Sequence, residues 1–227
     1  LDHVFKQQRA SCLVNPVACY ETELTFGKAA NSKRVAVVGA GPAGLAFCAY
    51  AAEKGHHVEL FDRADEIGGQ FNIAKQVPGK EEFYETIRYF NKQIDLHNVT
   101  LKLNTRVSKE DLISSGFDEI ILATGITPRM PKIDGITNPK VLNYIDVLKH
   151  KKPVGKRVAV IGAGGIGFDV SEYLTHEGES TSQNIDAWLR EWGIDKSLQA
   201  RSGIEGVSPQ IAPSPREIFM FKRSKGK

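Results

Sequence analysis

The sequence predicts an α/β fold with parallel sheets, and two observations predict it. The first is RVAVVGAGPAG, from Arg34 to Gly44. Val35, Val37 and Val38 make a β-branched apolar run, which suits a parallel strand buried on both faces. Gly39, Gly41 and Gly44 then form GxGxxG at the entry to a helix. The second observation is another copy, GAGGIG, with Gly162, Gly164, Gly165 and Gly167. A lone GxGxxG is weak. Two copies, each between an apolar strand and a helix, predict two Rossmann-like dinucleotide-binding units.

Composition sets the bounds. The 227 residues are 41% hydrophobic and 25% charged, enough for one large domain or two small ones. The net charge of +3 gathers at the end, in Lys222, Arg223, Lys225 and Lys227. No wider basic face interleaves with aromatics, so nucleic acid is a poor first partner. No apolar run approaches the roughly 20 residues of a membrane span. LDHVFKQQRA has no signal-peptide core and no initiator methionine, which reads as a processed chain or a fragment. Cys12, Cys19 and Cys48 do not make a disulfide framework, so a reducing cytoplasm is expected.

Residues 1–33 read as a loop and linker, with Cys12 and Cys19 as isolated thiols. Residues 34–126 read as the first unit. In its glycine turn the first glycine permits the turn and the second lets a pyrophosphate approach the backbone. The third lets helix and strand pack. The helix is expected from Pro42 to Lys54, with Pro42 at a position where a missing N–H costs little. Leu45, Cys48, Ala49 and Ala52 share one helical face, so Cys48 reads as a core residue. Strand Val58–Phe61 ends at Asp62, whose carboxylate can accept from both ribose hydroxyls and would repel a 2′-phosphate. This site is therefore expected to take FAD or NAD. Gly68-Gly69 and Gln70 fit a further contact to a flavin nucleotide. A helical period over Lys80–Leu96 places Phe83, Ile87, Phe90 and Ile94 together. Strands follow at Val99–Leu103 and Asp118–Ala123. Ala123, Thr124 and Gly125 form a small-residue exit that lets the chain approach a ligand.

Residues 127–155 read as a crossover with a short helix over Tyr144–His150. Residues 156–227 read as the second unit. Its strand is Arg157–Ile161, and its helix runs to about Thr175. An insertion over 178–215 follows, with a helix over Asn184–Trp192 and tryptophans that serve local packing. The next strand is Glu217–Phe221. It ends in Lys222, Arg223 and Lys225 with no acid at the ribose position. Arginine pairs with phosphate through two parallel bonds, so this end suits the 2′-phosphate of NADPH.

These stretches carry a family resemblance. SCLVNPVACYETE, VAVVGAGPAGLAF, EIGGQFNIAKQVPGKEEFYETIRYF, ILATGITPR, PVGKRVAVIGAGGIGFD and GESTSQNI resemble the C-terminal region of bacterial NADPH-dependent 2,4-dienoyl-CoA reductases. These belong with the old-yellow-enzyme-like flavoproteins. The resemblance covers essentially the whole chain. It implies a larger enzyme, with FMN in a TIM barrel, a 4Fe–4S cluster at the barrel's end, and the present region binding FAD and NADPH. It implies that hydride passes from NADPH to FAD and that electrons reach FMN through the cluster.

By position, the resemblance implies FAD contacts from Ala43, Asp62, Gln70, Lys80 and the backbone of Val107. It implies NADPH contacts from Gly162, Gly164, Gly167 and Arg223, with Lys222 and Lys225 as weaker ones. Cys12 matches the fourth cluster cysteine, whereas Cys19 matches none. The barrel and its catalytic residues would lie outside this chain, and no catalytic acid or base is expected within it. Both units are expected to be incomplete on their C-terminal side, and the isolated chain to hold FAD weakly. A related amine dehydrogenase, an enoate reductase, or a non-redox ADP-binding module are the alternatives.

Overall fold

The computed structural model describes residues 2–12, 15, 17–25 and 27–222. The elements begin with a short helix α1 (Asp2–Phe5), then β1 (Arg34–Val38), α2 (Pro42–Glu53) and β2 (His57–Phe61). Next come α3 (Phe71–Ala74), α4 (Glu82–Leu96), β3 (Thr100–Lys102), α5 (Lys109–Ser114) and β4 (Glu119–Leu122). The rest are α6 (Tyr144–Leu148), β5 (Arg157–Ile161), α7 (Gly165–Thr175), α8 (Ile185–Trp192) and β6 (Glu217–Phe221). These form two units. One holds the residues up to Gly69 and Thr86–Gly125, and the other holds Gln70–Glu85 and the residues from Ile126 on.

The first unit is a parallel sheet in the order β3-β2-β1-β4. The apolar run of β1 is buried on both faces, as its composition predicts, and alternation divides it. Val35 and Val37 join Leu45, Cys48, Ala49, Leu60, Phe90 and Ile94 in one core cluster. Ala36 joins Phe61 and Leu112, with Val38, Val107 and Phe117 packed alongside, in a second. The expected apolar face of α2 is buried. Cys48 is fully buried, which pushes its thiol up to about 12 and makes it a core residue.

Two details differ from the expected pattern. The helix predicted from Lys80 begins at Glu82. Of its apolar residues, Phe90 and Ile94 are buried in the first unit, whereas Phe83 lies in the second, its ring 4.3 Å from that of Phe71. A helix that periodicity had not marked, α5, is fixed by a capping box. The Ser108 side chain accepts from the Asp111 N–H, and the Asp111 carboxylate accepts from the Ser108 N–H.

The second unit pairs β5 with β6 in parallel, Val158 opposite Ile218 and Ile161 opposite Phe221. Its buried core is helical. Ile73, Val77 and Leu148 meet Tyr144, Ile145, Val170 and Tyr173. Along the strands, Val158, Val160, Ile218 and Met220 are half-buried, while Ile161, Phe219 and Phe221 are exposed. In the insertion, the Asn184 side chain caps α8 by accepting from the Ala187 N–H. Trp188 and Trp192 pack against each other, 6.0 Å between ring centroids, and both remain exposed. Among the described residues no helix is long and apolar enough to cross a membrane.

After α8 the chain turns around Asp195. Its carboxylate accepts from the Ser197 hydroxyl and from the N–H groups of Ala200, Ser197 and Gln199, which together hold it down to about 2 from an ordinary 3.8. A depressed carboxylate stabilises the fold above its unfolded pKa, and that contribution disappears as pH falls through the folded one. The turn should therefore keep its protected amides near pH 4 and lose them as pH falls through about 2. Ser197→Ala should move that midpoint upward, as followed by NMR titration of residues 195–200.

Core truncations should separate the two sheets. Leu60 is fully buried, so Leu60→Ala should lose about 2–5 kcal/mol. Ile161 is 67% exposed, so Ile161→Ala should change stability by no more than about 0.5 kcal/mol. Urea unfolding of both variants checks this.

Candidate nucleotide-binding sites

Both glycine turns are built on one steric plan. A Cβ placed on Gly44 would lie 1.9 Å from the Gly39 carbonyl oxygen, and one on Gly167 would lie 2.0 Å from that of Gly162. The third glycine therefore lets the helix settle onto the turn. Gly39 and Gly162 have φ of +112° and +118°, where an L side chain is strained. Their N–H groups donate at 2.8 Å to Phe61 and Phe221, the last residues of the neighbouring strands. Gly41 and Gly164 cap the helices in extended conformation, and among the described residues nothing lies within 4 Å of a Cβ on either. Neither helix has an acidic residue in its first turn. Pro42 opens α2 and Gly165 opens α7, while Ala43 is exposed in the first turn of α2.

The two turns differ in their surroundings. A Cβ on Gly39 would lie 2.2 Å from the Ala123 carbonyl oxygen, because β4 runs beside β1 and the Ala123 N–H donates to Val38. The Ala123-Thr124-Gly125 exit thus stands against the first turn. Among the described residues nothing lies within 4 Å of a Cβ on Gly162. The first turn is also backed by Gly68 and Gly69. The Gly68 N–H donates to the Ala40 carbonyl at 2.8 Å, and a Cβ on Gly69 would lie 3.0 Å from the Gly41 Cα.

Asp62 stands at the end of β2. One carboxylate oxygen accepts the Ala40 N–H at 2.6 Å and the other accepts the Ala64 N–H at 2.8 Å. Val107 is half-buried in the cluster with Phe61 and Leu112. It lines a cavity of about 360 Å³ that Arg34, Glu59 and Lys102 also line. There the Lys102 ammonium, and then the Arg34 guanidinium, hold the Glu59 carboxyl below its ordinary range, against the opposing effect of burial.

Gln70 and Lys80 belong to the second unit. The Gln70 amide oxygen accepts from the Tyr144 hydroxyl at 3.1 Å, which leaves its NH2 group for another acceptor. The Lys80 ammonium pairs with Asp169 of α7 at 2.6 Å. Glu81 accepts from the Ser182 hydroxyl, which joins VPGKEEF to GESTSQNI. Lys222 is exposed just beyond β6, and Arg223 and Lys225 lie outside the described residues. Cys12 and Cys19 are both exposed. Among the described residues no three His, Cys, Asp or Glu side chains come together to hold a metal.

Residues 33–192 match the family model of the pyridine nucleotide-disulphide oxidoreductases. The chain belongs to that family. This oxidoreductase domain is 31% identical over 192 residues to a metal reductase of Desulforamulus reducens, covering 82% of the chain and 28% of the relative. It is 35% identical over 173 residues to a cinnamate reductase of Clostridium sporogenes, covering 76% and 26%. A solved structure of 2-naphthoyl-CoA reductase with 2-naphthoyl-CoA is similar at 36% identity and a TM-score of 0.72, covering 76% of this chain and 26% of that one. The domain therefore spans about a quarter of these relatives, which are 28%, 26% and 26% covered.

The domain uses residues that sequence reasoning had not singled out. Asp169 follows the last glycine of GAGGIGFD by two positions, so an acid two residues beyond the glycine motif was the available signal. Tyr144 opens α6 behind the Asn143–Asp146 capping box, a legible N-terminus, but its bond to Gln70 spans 74 positions and leaves no local trace.

The steric plan separates the glycines by role. Gly44→Ala and Gly167→Ala should each destabilise the domain by about 3 kcal/mol, as overpacking does. Gly41→Ala and Gly164→Ala should fold with melting temperatures within a few degrees of the parent, which thermal unfolding checks.

Proposed function

We propose that this domain binds FAD at the first glycine turn and NADPH at the second. One observation carries the reading: two turns of the same construction, each with a close-packed third glycine and an open second glycine, in one chain. The open space at Gly41 and Gly164, with helix N-termini free of acids, fits pyrophosphate groups. Asp62 retains lone pairs for ribose hydroxyls beyond the two N–H groups it accepts. Ala43, Gly69 and the Ala123-Thr124-Gly125 exit would frame the FAD, and Gln70, Lys80 and the Val107 backbone would add polar contacts. Lys222, Arg223 and Lys225 would take the 2′-phosphate.

The flavin and nicotinamide supply the hydride chemistry when bound. The residues here bind and orient. The Asp169 carboxylate holds the Lys80 ammonium in place, and the Tyr144 hydroxyl fixes the Gln70 amide. No side chain is assigned an acid–base role.

We further propose that the domain is the electron-input part of a 2,4-dienoyl-CoA reductase-like enzyme. FMN in a TIM barrel and a 4Fe–4S cluster with Cys12 as one ligand would complete the path. Similarity to a 2-naphthoyl-CoA reductase supports an acyl-CoA substrate. Similarity to a cinnamate reductase supports a second reading, an enoate reductase acting on a free unsaturated acid.

The test uses the full-length protein. Its visible spectrum should carry flavin bands that bleach with anaerobic NADPH and less readily with NADH. A 2,4-dienoyl-CoA should be turned over in preference to cinnamate, and the reverse preference would favour the second reading. Gly41→Ala should weaken FAD binding at least about tenfold without unfolding the protein. A protein with no flavin and no NADPH oxidation would sink the proposal.

A further inference from the structure

We infer that Asp62 is a positioning residue that builds the first glycine turn before any nucleotide arrives. The inference deepens the proposed nucleotide site and rests on that reading for its functional meaning. Ala40 is fully buried between Gly39 and Gly41, so its peptide groups need partners within the protein. Its carbonyl accepts from Gly68, and its N–H donates to Asp62 at 2.6 Å. No strand supplies that partner, because the ladder between β1 and β2 ends at Val38 and Phe61.

The carboxylate is itself held. The Asp62 N–H donates to Lys102, its carbonyl accepts from Thr105, and its second oxygen accepts the Ala64 N–H. Asp62 thus joins the ends of β2 and β3 to the turn that follows β1. The chemistry demands an acceptor on both sides. A carboxylate meets two N–H donors and keeps further lone pairs, whereas an amide of the same shape turns an NH2 toward one of them. A residue serving ribose alone would have no such requirement.

The experiment separates the roles in full-length protein stripped of nucleotide. Amide exchange is followed at Ala40 and Ala64, and binding is measured for ADP and for 2′,3′-dideoxy-ADP. In the parent, the Ala40 amide should be protected without any ligand. Asp62→Asn should speed exchange at one of the two amides at least about tenfold, and Asp62→Ala at both. Both variants should also lose about tenfold in affinity for the dideoxy nucleotide, which has no ribose hydroxyls to contact. An unprotected Ala40 amide in the parent overturns the inference and requires no variant to fold. So does loss of affinity for ADP alone with exchange unchanged. If the parent binds neither nucleotide, the proposed site fails while the exchange data still decide the role of Asp62.

Discussion

The structure depends on how closely a helix can approach the turn that precedes it. In both units the third glycine of the motif faces the carbonyl of the first, and the gap is too small for any Cβ. That contact draws α2 onto β1 and α7 onto β5. Each helix then starts at a second glycine whose Cβ position meets nothing within 4 Å among the described residues, and a helix start carries N–H groups with no intrahelical partner. The packing of strand against helix, and the open helix start that we propose takes an anion, are consequences of the same missing side chains.

What surrounds the turn decides how firmly it is set. A parallel sheet is stable when both faces are covered. In the first unit α2 and α4 contribute Leu45, Cys48, Phe90 and Ile94 to one core cluster, and α5 contributes Leu112 to the other. The turn after β1 then meets Ala123, Asp62 and Gly68 on three sides. In the second unit the buried core lies among α3, α6 and α7, and Ile161, Phe219 and Phe221 are exposed. There the turn is bonded to β6 through the Gly162 N–H, and among the described residues nothing within 4 Å of a Gly162 Cβ matches Ala123.

Much of this was legible because it is local. The valines of β1, the glycine spacing, the apolar face of α2 and the burial of Cys48 follow from neighbours a few positions apart. The helix expected over Asn184–Trp192 is present over Ile185–Trp192, with Asn184 as its cap. Less legible was the allegiance of residues 70–85. Their periodicity runs on into α4, so Phe83 reads as one face with Phe90 and Ile94. The fold instead sets Phe83 against Phe71 and buries Ile73 and Val77 with Leu148. Periodicity reports which residues share a face, and it carries no information on which core that face meets. The capping box at Ser108 and Asp111 was present in the sequence, but a short helix between a strand and a loop gives too few turns for a period to show.

The polar contacts of residues 70–85 have a different character from the apolar ones. The Lys80–Asp169 pair is 39% and 27% exposed, so it contributes no more than about 1 kcal/mol to stability. The bonds from Tyr144 to Gln70 and from Ser182 to Glu81 each add a similar amount. Ile73 and Val77 hold the segment to α6 and α7 by burial. The polar pairs fix where an ammonium and an amide stand. Their small energies make them poor candidates for structural glue, and their fixed geometry suits groups that must present one donor in one direction. In that respect Lys80 and Gln70 resemble Asp62, whose carboxylate is also held by partners before it meets anything else. Side chains fixed in advance lose little freedom when a ligand binds. On the proposed reading of these residues as nucleotide contacts, much of the entropic cost of recognition is met in folding itself.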